Sequence, residues 1–199
     1  MSVINPYEQV YAKNRKEWRK WLHKYHNKYN GIWLVYYKKQ TGKQRVNYDE
    51  AVEEALCYGW IDSTMRPLDE ERYMQLFTPR KPKSEWSKLN KQRVEKLIEQ
   101  GLMMPAGMEK IELSKQNGNW EKIDHVEALL IPEDLSKLLN RNAKAVAYFN
   151  NLKTTNKKYI LHWLSSAKKE ETRAKRIEEI MTALKKGTMP DRFLPKQVP

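Results

Sequence analysis

The stretch Ile32-Trp33-Leu34-Val35-Tyr36-Tyr37 is the longest uncharged apolar run in the sequence, and it decides the fold. β-branched and aromatic side chains fill both alternating faces of this run, which is typical of a strand covered on two sides. The run is far shorter than the roughly 20 apolar residues that a membrane-spanning helix needs. It therefore predicts a central strand, bounded by the turn signals Asn30-Gly31 and Thr41-Gly42.

Helical periodicity flanks this strand on both sides. Asn14 stands three residues before Glu17, a spacing that predicts a helix N-terminus. Apolar residues follow at helical spacing, namely Trp18, Trp21, Leu22, Tyr25 and Tyr29. After the strand, a second helix is predicted over Tyr48 to Tyr58, with Gly59 as its natural stop.

A strand pair and further helices follow along the chain. Trp60 to Met65 and Arg72 to Phe77 enclose a turn-forming stretch and predict an antiparallel pair. Prolines then enforce an extended crossover, after which Ser87 is a good N-cap. The helix that it begins is expected to carry one apolar side, formed by Leu89, Val94, Leu97 and Ile98.

Strand signals cease beyond Trp120, where four apolar stretches have helical spacing. The expected fold class is α+β, with a small antiparallel sheet of three or more strands and packed helices, followed by an all-α C-terminal module. We expect an α+β domain at 1–128, a helical module at 129–187 and a loose tail at 188–199. Prolines in the tail disfavour a helix there.

The last two predicted helices meet at a corner over residues 167–171. Ile160 and Trp163 are expected to pack against Ile177 and Ile180 across it, because both stripes are too apolar to face water. The basic residues near the corner resemble those of DNA-binding helix pairs. Glutamates offset that charge, however, and a packing corner is the favoured interpretation.

Composition excludes several classes of protein. The 199 residues contain 38 Lys+Arg and 25 Asp+Glu, and the net charge of +13 favours an anionic partner. Cys57 is the single cysteine, so a disulfide scaffold and a zinc cluster are excluded. With no secretory signal, we expect a soluble cytoplasmic protein without a membrane span. The common nucleotide, hydrolase and metalloprotease motifs are missing, and we expect no catalytic residue set, no metal and no cofactor.

The basic crossover over residues 78–91 is the first candidate site. Arg80 and Lys83 precede a predicted helix whose free N–H groups attract an anion, Ser87 caps that helix, and Trp86 offers a face for stacking. These residues predict a site for a phosphate or a carboxylate. The structural alternative is a crossover in which Ser87 only caps, Trp86 is core and the lysines are solvated.

A second candidate set begins at the start of the predicted strand pair. Trp60 and Asp62 precede Arg66 and Arg72, and an acid beside arginines can orient them for bidentate anion binding. An Asp–Arg pair is also an ordinary structural device. We include all four residues as candidate members of the anion site.

Three long stretches resemble the YdeI/OmpD-associated (bacteriocin-protection, OmdA-type) family. They are YDEAVEEALCYGWIDS at 48–63, FTPRKPKSEWSKLN at 77–90 and YILHWLSSAKKEETRAKRI at 159–177. The resemblance covers nearly the whole chain and makes the 129–187 module OmdA-type. It implies protection against bacteriocins or association with an outer-membrane porin, and it brings no catalytic residues with it.

The leading hypothesis is a non-catalytic intracellular protein of this family. It would contribute to bacteriocin or antimicrobial-peptide resistance by binding an anionic small molecule or a protein partner. The alternative is a nucleic-acid-binding protein, because of the net charge. A third hypothesis is an enzyme that acts on an anionic small molecule in a pocket formed by Trp60, Arg66, Arg72, Arg80 and Trp86.

Overall fold

A computed structural model describes residues 7–194, which divide into two compact units between Lys122 and Ile123. The first unit combines a sheet with helices, and the second is built of helices. This organisation confirms the predicted α+β class with a helical C-terminal part. None of the helices in the described range combines the length and the apolar character that crossing a membrane requires.

The first unit follows the predicted order of elements, with one strand added at its start. A 3₁₀ turn at Lys39–Thr41 follows the second strand. The elements are β1 (Glu8–Tyr11), α1 (Arg15–Tyr25), β2 (Ile32–Tyr37), α2 (Tyr48–Cys57), β3 (Trp60–Pro67), β4 (Arg72–Pro79), α3 (Lys88–Glu99) and α4 (Pro105–Gln116).

Side-chain caps fix where these helices begin. The Asn14 side chain accepts the Glu17 N–H at 3.0 Å, and the Ser87 hydroxyl accepts the Asn90 N–H at 3.3 Å, so both predicted caps are confirmed. Asn47 begins α2 with a capping box, in which the Glu50 side chain accepts the backbone N–H of Asn47.

The described strands form a mixed sheet in the order β1-β2-β4-β3. The β3–β4 hairpin is antiparallel as predicted, with an irregularity in register between Asp62 and Met65. β4 also pairs antiparallel with β2, and β1 pairs with β2 in parallel. A parallel neighbour needs a crossover connection, and α1 provides it. The added strand β1 makes the sheet mixed rather than wholly antiparallel.

β2 is the central strand, as the sequence predicts. On one face of the sheet its side chains enter the main core with α1 to α4; on the other, Trp33 and Val35 form a smaller cluster with Met74. The largest fully buried side chains of the main core are Trp18, Leu22, Ile32, Leu34, Tyr36, Leu56, Trp60, Phe77, Trp86, Leu97 and Ile111.

Helix α3 buries a narrower stripe than expected. Val94 and Leu97 are buried, whereas Leu89 and Ile98 are 55% and 44% exposed. Leu89 precedes Val94 by five residues, which is about 140° around the helix, and Ile98 is about 100° beyond Leu97. The prediction that all four residues share one apolar side is therefore wrong.

Two glycines allow α4 to approach the end of α2. A Cβ at Gly107 would lie 2.3 Å from the carbonyl oxygen of Cys57, and one at Gly59 would lie 2.8 Å from that of Ala106. Gly59 also has a φ of +74°, which L side chains rarely adopt. The Met104 N–H donates to the Cys57 carbonyl at 3.1 Å, so this contact fixes the start of α4.

The second unit consists of α5 (Asp124–Glu127), α6 (Glu133–Asn140), α7 (Ala143–Asn151), α8 (Thr154–Ser165) and α9 (Glu170–Lys186). A 3₁₀ turn follows at Asp191–Phe193. In the expected tail, Met189 is buried and the Phe193 ring lies 6.0 Å from that of Tyr159. Residues 195–199 of the expected tail lie outside the described residues.

The corner between α8 and α9 is packed as the sequence predicts. Ile160, Trp163, Ile177 and Ile180 belong to one buried cluster. Basic residues of the corner serve the same unit, since Arg176 donates to the Ser166 hydroxyl at 2.9 Å. Arg173 likewise forms a bidentate ion pair with Asp134. These contacts support the packing interpretation of the corner.

Replacing Trp163 by alanine is expected to destabilise the second unit by about 3–5 kcal/mol, because it removes a buried indole from the packed corner. Chemical denaturation monitored by circular dichroism measures the change. Tyr159→Ala on the same helix is the matched control, since the Tyr159 side chain is 53% exposed and its loss should cost much less. Equal losses in the two variants would contradict the assigned packing.

Candidate functional site

The helix-covered face of the sheet changes from apolar to polar along its length. Ile32 pairs with Phe77 at the apolar end, and Leu34 then faces Gln75. Tyr36 pairs with Tyr73 at the polar end. Side chains of directly paired residues share one face, so a polar group forms beside the core. We name it the Asp62 cluster, which comprises Tyr36, Arg45, Tyr48, Asp62, Tyr73 and Gln75.

Asp62 accepts two hydrogen bonds on the same oxygen. The Tyr48 hydroxyl donates to Oδ2 at 2.8 Å, and the Gln75 amide donates to the same atom at 3.1 Å. Burial and Asp62 together raise the pKa of Tyr48 to about 12. Gln75 is only 5% exposed, and its amide also donates to the Ser63 carbonyl at 2.8 Å. Asp62 is thereby held by two elements, α2 and β4.

Tyr36 is fully buried, with its ring stacked on Tyr73 at 5.0 Å between centroids. Arg45 donates to the Tyr73 hydroxyl at 3.3 Å. The Tyr36 hydroxyl has no hydrogen-bond partner within residues 7–194. Burial, with the nearby Asp62 charge, raises the pKa of Tyr36, so the hydroxyl stays protonated and remains a donor.

Arg80 lies directly after β4 and is 3% exposed. Its guanidinium carbon lies 3.5 Å from the centroid of the Trp86 ring, and Nη2 donates to the Glu85 carbonyl at 2.6 Å. Nε is buried and has no hydrogen-bond partner in the described part of the chain. Burial lowers the pKa of Arg80 to about 10 and Asp62 opposes that shift, so Arg80 is charged at neutral pH.

The Arg80 guanidinium stacks on the Trp86 ring, which is itself held by two contacts. Its indole N–H donates to the Ser114 hydroxyl at 2.8 Å, and its ring centroid lies 4.8 Å from that of Trp120. Ser87 follows directly and caps α3, leaving the first helical amides without intrahelical acceptors. Lys83 is exposed in the connecting segment. The structure therefore brings Arg80, Trp86 and Ser87 together.

Arg66 and Arg72 lie at the far end of the β3–β4 hairpin. Arg72 forms an ion pair with Asp69 at 2.6 Å, and the Arg66 guanidinium lies 5.2 Å from the Trp33 ring on the opposite face of the sheet. β4 is eight residues long, so about 26 Å of extended chain separates Arg72 from Arg80. The structure does not bring the two arginines to Arg80.

Trp60 and Asp62 sit nearer the crossover but bond to other groups than those suggested by the sequence. The Trp60 indole donates to the His26 carbonyl at 3.0 Å inside the core. The hydrogen bonds to Asp62 come from Tyr48 and Gln75 rather than from Arg66 or Arg72. Asp62 reaches Arg80 only through its charge.

Sequence reasoning missed the polar members contributed by β2 and β4. The signal was present in β4, where Tyr73, Gln75 and Phe77 alternate on one face. Their partners depend on the register with β2, which the sequence alone does not give.

The cysteine and two of the histidines lie outside the Asp62 cluster and the Arg80 site. Cys57 is buried, and burial raises the pKa of its thiol to about 11. His23, His26 and Tyr58 line a separate cavity of about 350 Å³. Among the described residues, no group of three or more histidine, cysteine, aspartate or glutamate side chains could hold a metal ion.

Tyr36→Phe is expected to raise the free energy of unfolding by about 1–3 kcal/mol, because it removes a buried hydroxyl that no described group satisfies. Urea denaturation measures the effect. Tyr48→Phe in the same cluster is the matched control, and it should lower stability because it breaks a hydrogen bond to Asp62. A loss of stability in Tyr36→Phe would contradict the assignment.

Comparison with known families finds one matching family in each unit. Residues 10–110, just over half of the chain, match the family described as Domain of unknown function (DUF8412), and this range contains the Asp62 cluster and Arg80. Residues 128–187 match the family described as Bacteriocin-protection, YdeI or OmpD-Associated (OmdA), which confirms the resemblance for the stretch at 159–177 and for the 129–187 module. The stretches at 48–63 and 77–90 lie in the DUF8412 match instead, so the OmdA match does not extend over nearly the whole chain. No curated protein and no solved structure matches the chain. The chain therefore belongs to the DUF8412 family, and its C-terminal part carries a YdeI/OmpD-associated (OmdA) domain.

Proposed function

We propose that the N-terminal domain, residues 1–128, binds an anionic small molecule beside Arg80 and Trp86. The binding residues of this proposal are Arg80, Lys83, Trp86 and Ser87, with Asp62 and Trp60 behind them. The chain would contribute, without catalysis, to bacteriocin or antimicrobial-peptide resistance. The description of the OmdA family supports that role. The buried, unpaired guanidinium of Arg80 supports the binding of an anion.

The unpaired charge of Arg80 is the observation that carries the proposal. Elsewhere this chain pairs its buried charge: Glu54 is 2% exposed and accepts from Arg15 and Arg19, each at 2.6 Å. No described carboxylate forms an ion pair with Arg80, and its Nε–H lacks an acceptor. A buried charge without a partner is costly. An anion with an acceptor oxygen would offset the charge and satisfy the N–H together.

Neighbouring groups favour an anion at the same place. The first amides of α3 follow Ser87, and the positive end of the helix dipole attracts negative charge. Lys83 supplies an exposed cation three residues before Trp86. Trp86 excludes water on one side, which strengthens each electrostatic attraction.

The titration of the nearby groups favours binding over catalysis. Tyr36 and Tyr48 both have a raised pKa, so at neutral pH they act as hydrogen-bond donors and not as bases. The buried thiol of Cys57 stays protonated for the same reason. An enzyme acting on an anionic molecule is therefore the weaker hypothesis.

Phosphate or sulfate is expected to raise the melting temperature more than chloride does at matched ionic strength, because a divalent anion can meet Arg80, Lys83 and the amides of α3. Differential scanning fluorimetry on the full chain measures the shift. Arg80→Ala should abolish the difference between the anions. Lys83→Ala, which leaves the core intact, should reduce it.

Arg72→Ala is the matched control, since Arg72 lies about 26 Å along the strand from Arg80. It should retain the full difference between phosphate and chloride. An equal loss in Arg72→Ala would indicate a bulk charge effect, and unchanged shifts in both Arg80→Ala and Lys83→Ala would refute the proposed site.

The net charge of +13 supports a second candidate, a nucleic-acid-binding protein. If this candidate is correct, the affinity for a short duplex DNA or RNA should fall by at least tenfold between 50 mM and 200 mM salt. The reason is that lysine and arginine side chains that bind phosphates release counterions from the nucleic acid. Fluorescence anisotropy measures this dependence. No detectable affinity at 50 mM salt would remove this candidate.

A further inference from the structure

A groove of about 650 Å³ runs along α9 in the second unit. One face of α9 lines it over three turns, from Ala174 to Lys185, which is a length of about 16 Å at 1.5 Å per residue. The end of α6 and the short connection to α7 form the opposite wall. Every lining residue lies within the OmdA range.

The floor of this groove is apolar. Ile177 and Met181 contribute it from α9, and their side chains are largely buried in the core beneath. Leu138 of α6 is 37% exposed at its wall, and Ala174 leaves space because its side chain is small. A cleft of this size with an apolar floor is in the range that small ligands occupy, which is about 300–1,000 Å³.

Cations outnumber acids along the groove. Arg141 and Lys185 line it together with a single acid, Glu178. Neither Arg141 nor Lys185 forms an ion pair with any described residue, whereas Arg173 of the same unit is paired with Asp134. The groove is therefore apolar along its length and carries two cations free to meet an anionic group.

We propose that this groove binds a linear amphiphile with one anionic head group, of the fatty-acid type. The alkyl chain lies on Leu138, Ile177 and Met181, and the carboxylate meets Arg141 or Lys185. Volume favours this occupant over a docked helix, because a helix 16 Å long and 10 Å wide fills about 1,250 Å³, roughly twice the groove. The proposal is independent of anion binding at Arg80.

Isothermal titration calorimetry on the full chain tests the proposal with dodecanoate below its micelle concentration. One dodecanoate is expected per chain, bound at least tenfold more tightly than dodecyltrimethylammonium, which has the same alkyl chain and the opposite charge. Octanoate should bind more weakly than dodecanoate, because it covers less of the apolar floor.

Two pairs of variants locate the site. Arg141→Glu/Lys185→Glu should weaken dodecanoate binding at least tenfold. Lys144→Glu/Lys186→Glu makes the same change in net charge at the start of α7 and the end of α9, and it should not weaken binding. Ala174→Trp should block binding by filling the groove, and Ala147→Trp, on the exposed side of α7, is its control. Circular dichroism verifies that each variant is folded.

Three results would overturn the proposal. The first is equal binding of dodecanoate and dodecyltrimethylammonium. The second is an equal effect of the groove variants and their controls. The third is binding to phosphatidylglycerol vesicles without binding of monomeric dodecanoate, which would assign the cations to a membrane surface instead.

Discussion

Enclosure of β2 on both edges and both faces is the constraint on which the first unit depends. The parallel pairing with β1 requires a connection that returns across the sheet, and α1 makes it while burying Trp18 and Leu22. The main core, and with it α2, α3 and α4, gathers on that face. The polar side chains of Tyr36 and Gln75 are consequently buried beside the core rather than left in solvent.

Burial of polar groups shifts the pKa of Tyr36 and Arg80 in the candidate site. Burial is the main cause of the raised pKa of Tyr36 and of the lowered pKa of Arg80. The charge of Asp62 acts on both groups, because it adds to the rise at Tyr36 and opposes the fall at Arg80. Each of those side chains keeps a buried N–H or O–H without a partner among the described residues. Burying such donors costs desolvation free energy that an apolar side chain at either position would avoid. The anion proposed above would supply an acceptor for the Arg80 N–H.

Much of the fold follows from local signals in the sequence. The Asn14 and Ser87 caps, the β2 run and the β3–β4 hairpin each depend on neighbouring residues, and all are confirmed. The sequence analysis did not predict β1, because Glu8–Tyr11 has only four residues and most of them are exposed. This strand is defined by its pairing with β2 rather than by a pattern of its own. The nearness of Arg80 to Trp86 could be predicted because only five residues of chain separate them. The positions of Tyr36 and Gln75 could not, because strand register is a long-range property.

The close approach of α4 to the end of α2 at Gly59 and Gly107 limits which substitutions the fold accepts. Each position faces backbone oxygen atoms, and backbone is common to every sequence that adopts the fold. A smaller neighbouring side chain therefore cannot compensate for a substitution at Gly107, and no second mutation restores the lost space without moving a helix. The start of α4 is thus tied to the end of α2 independently of which side chains surround them. Side chains elsewhere in the first unit can change while this junction keeps the two helices in register.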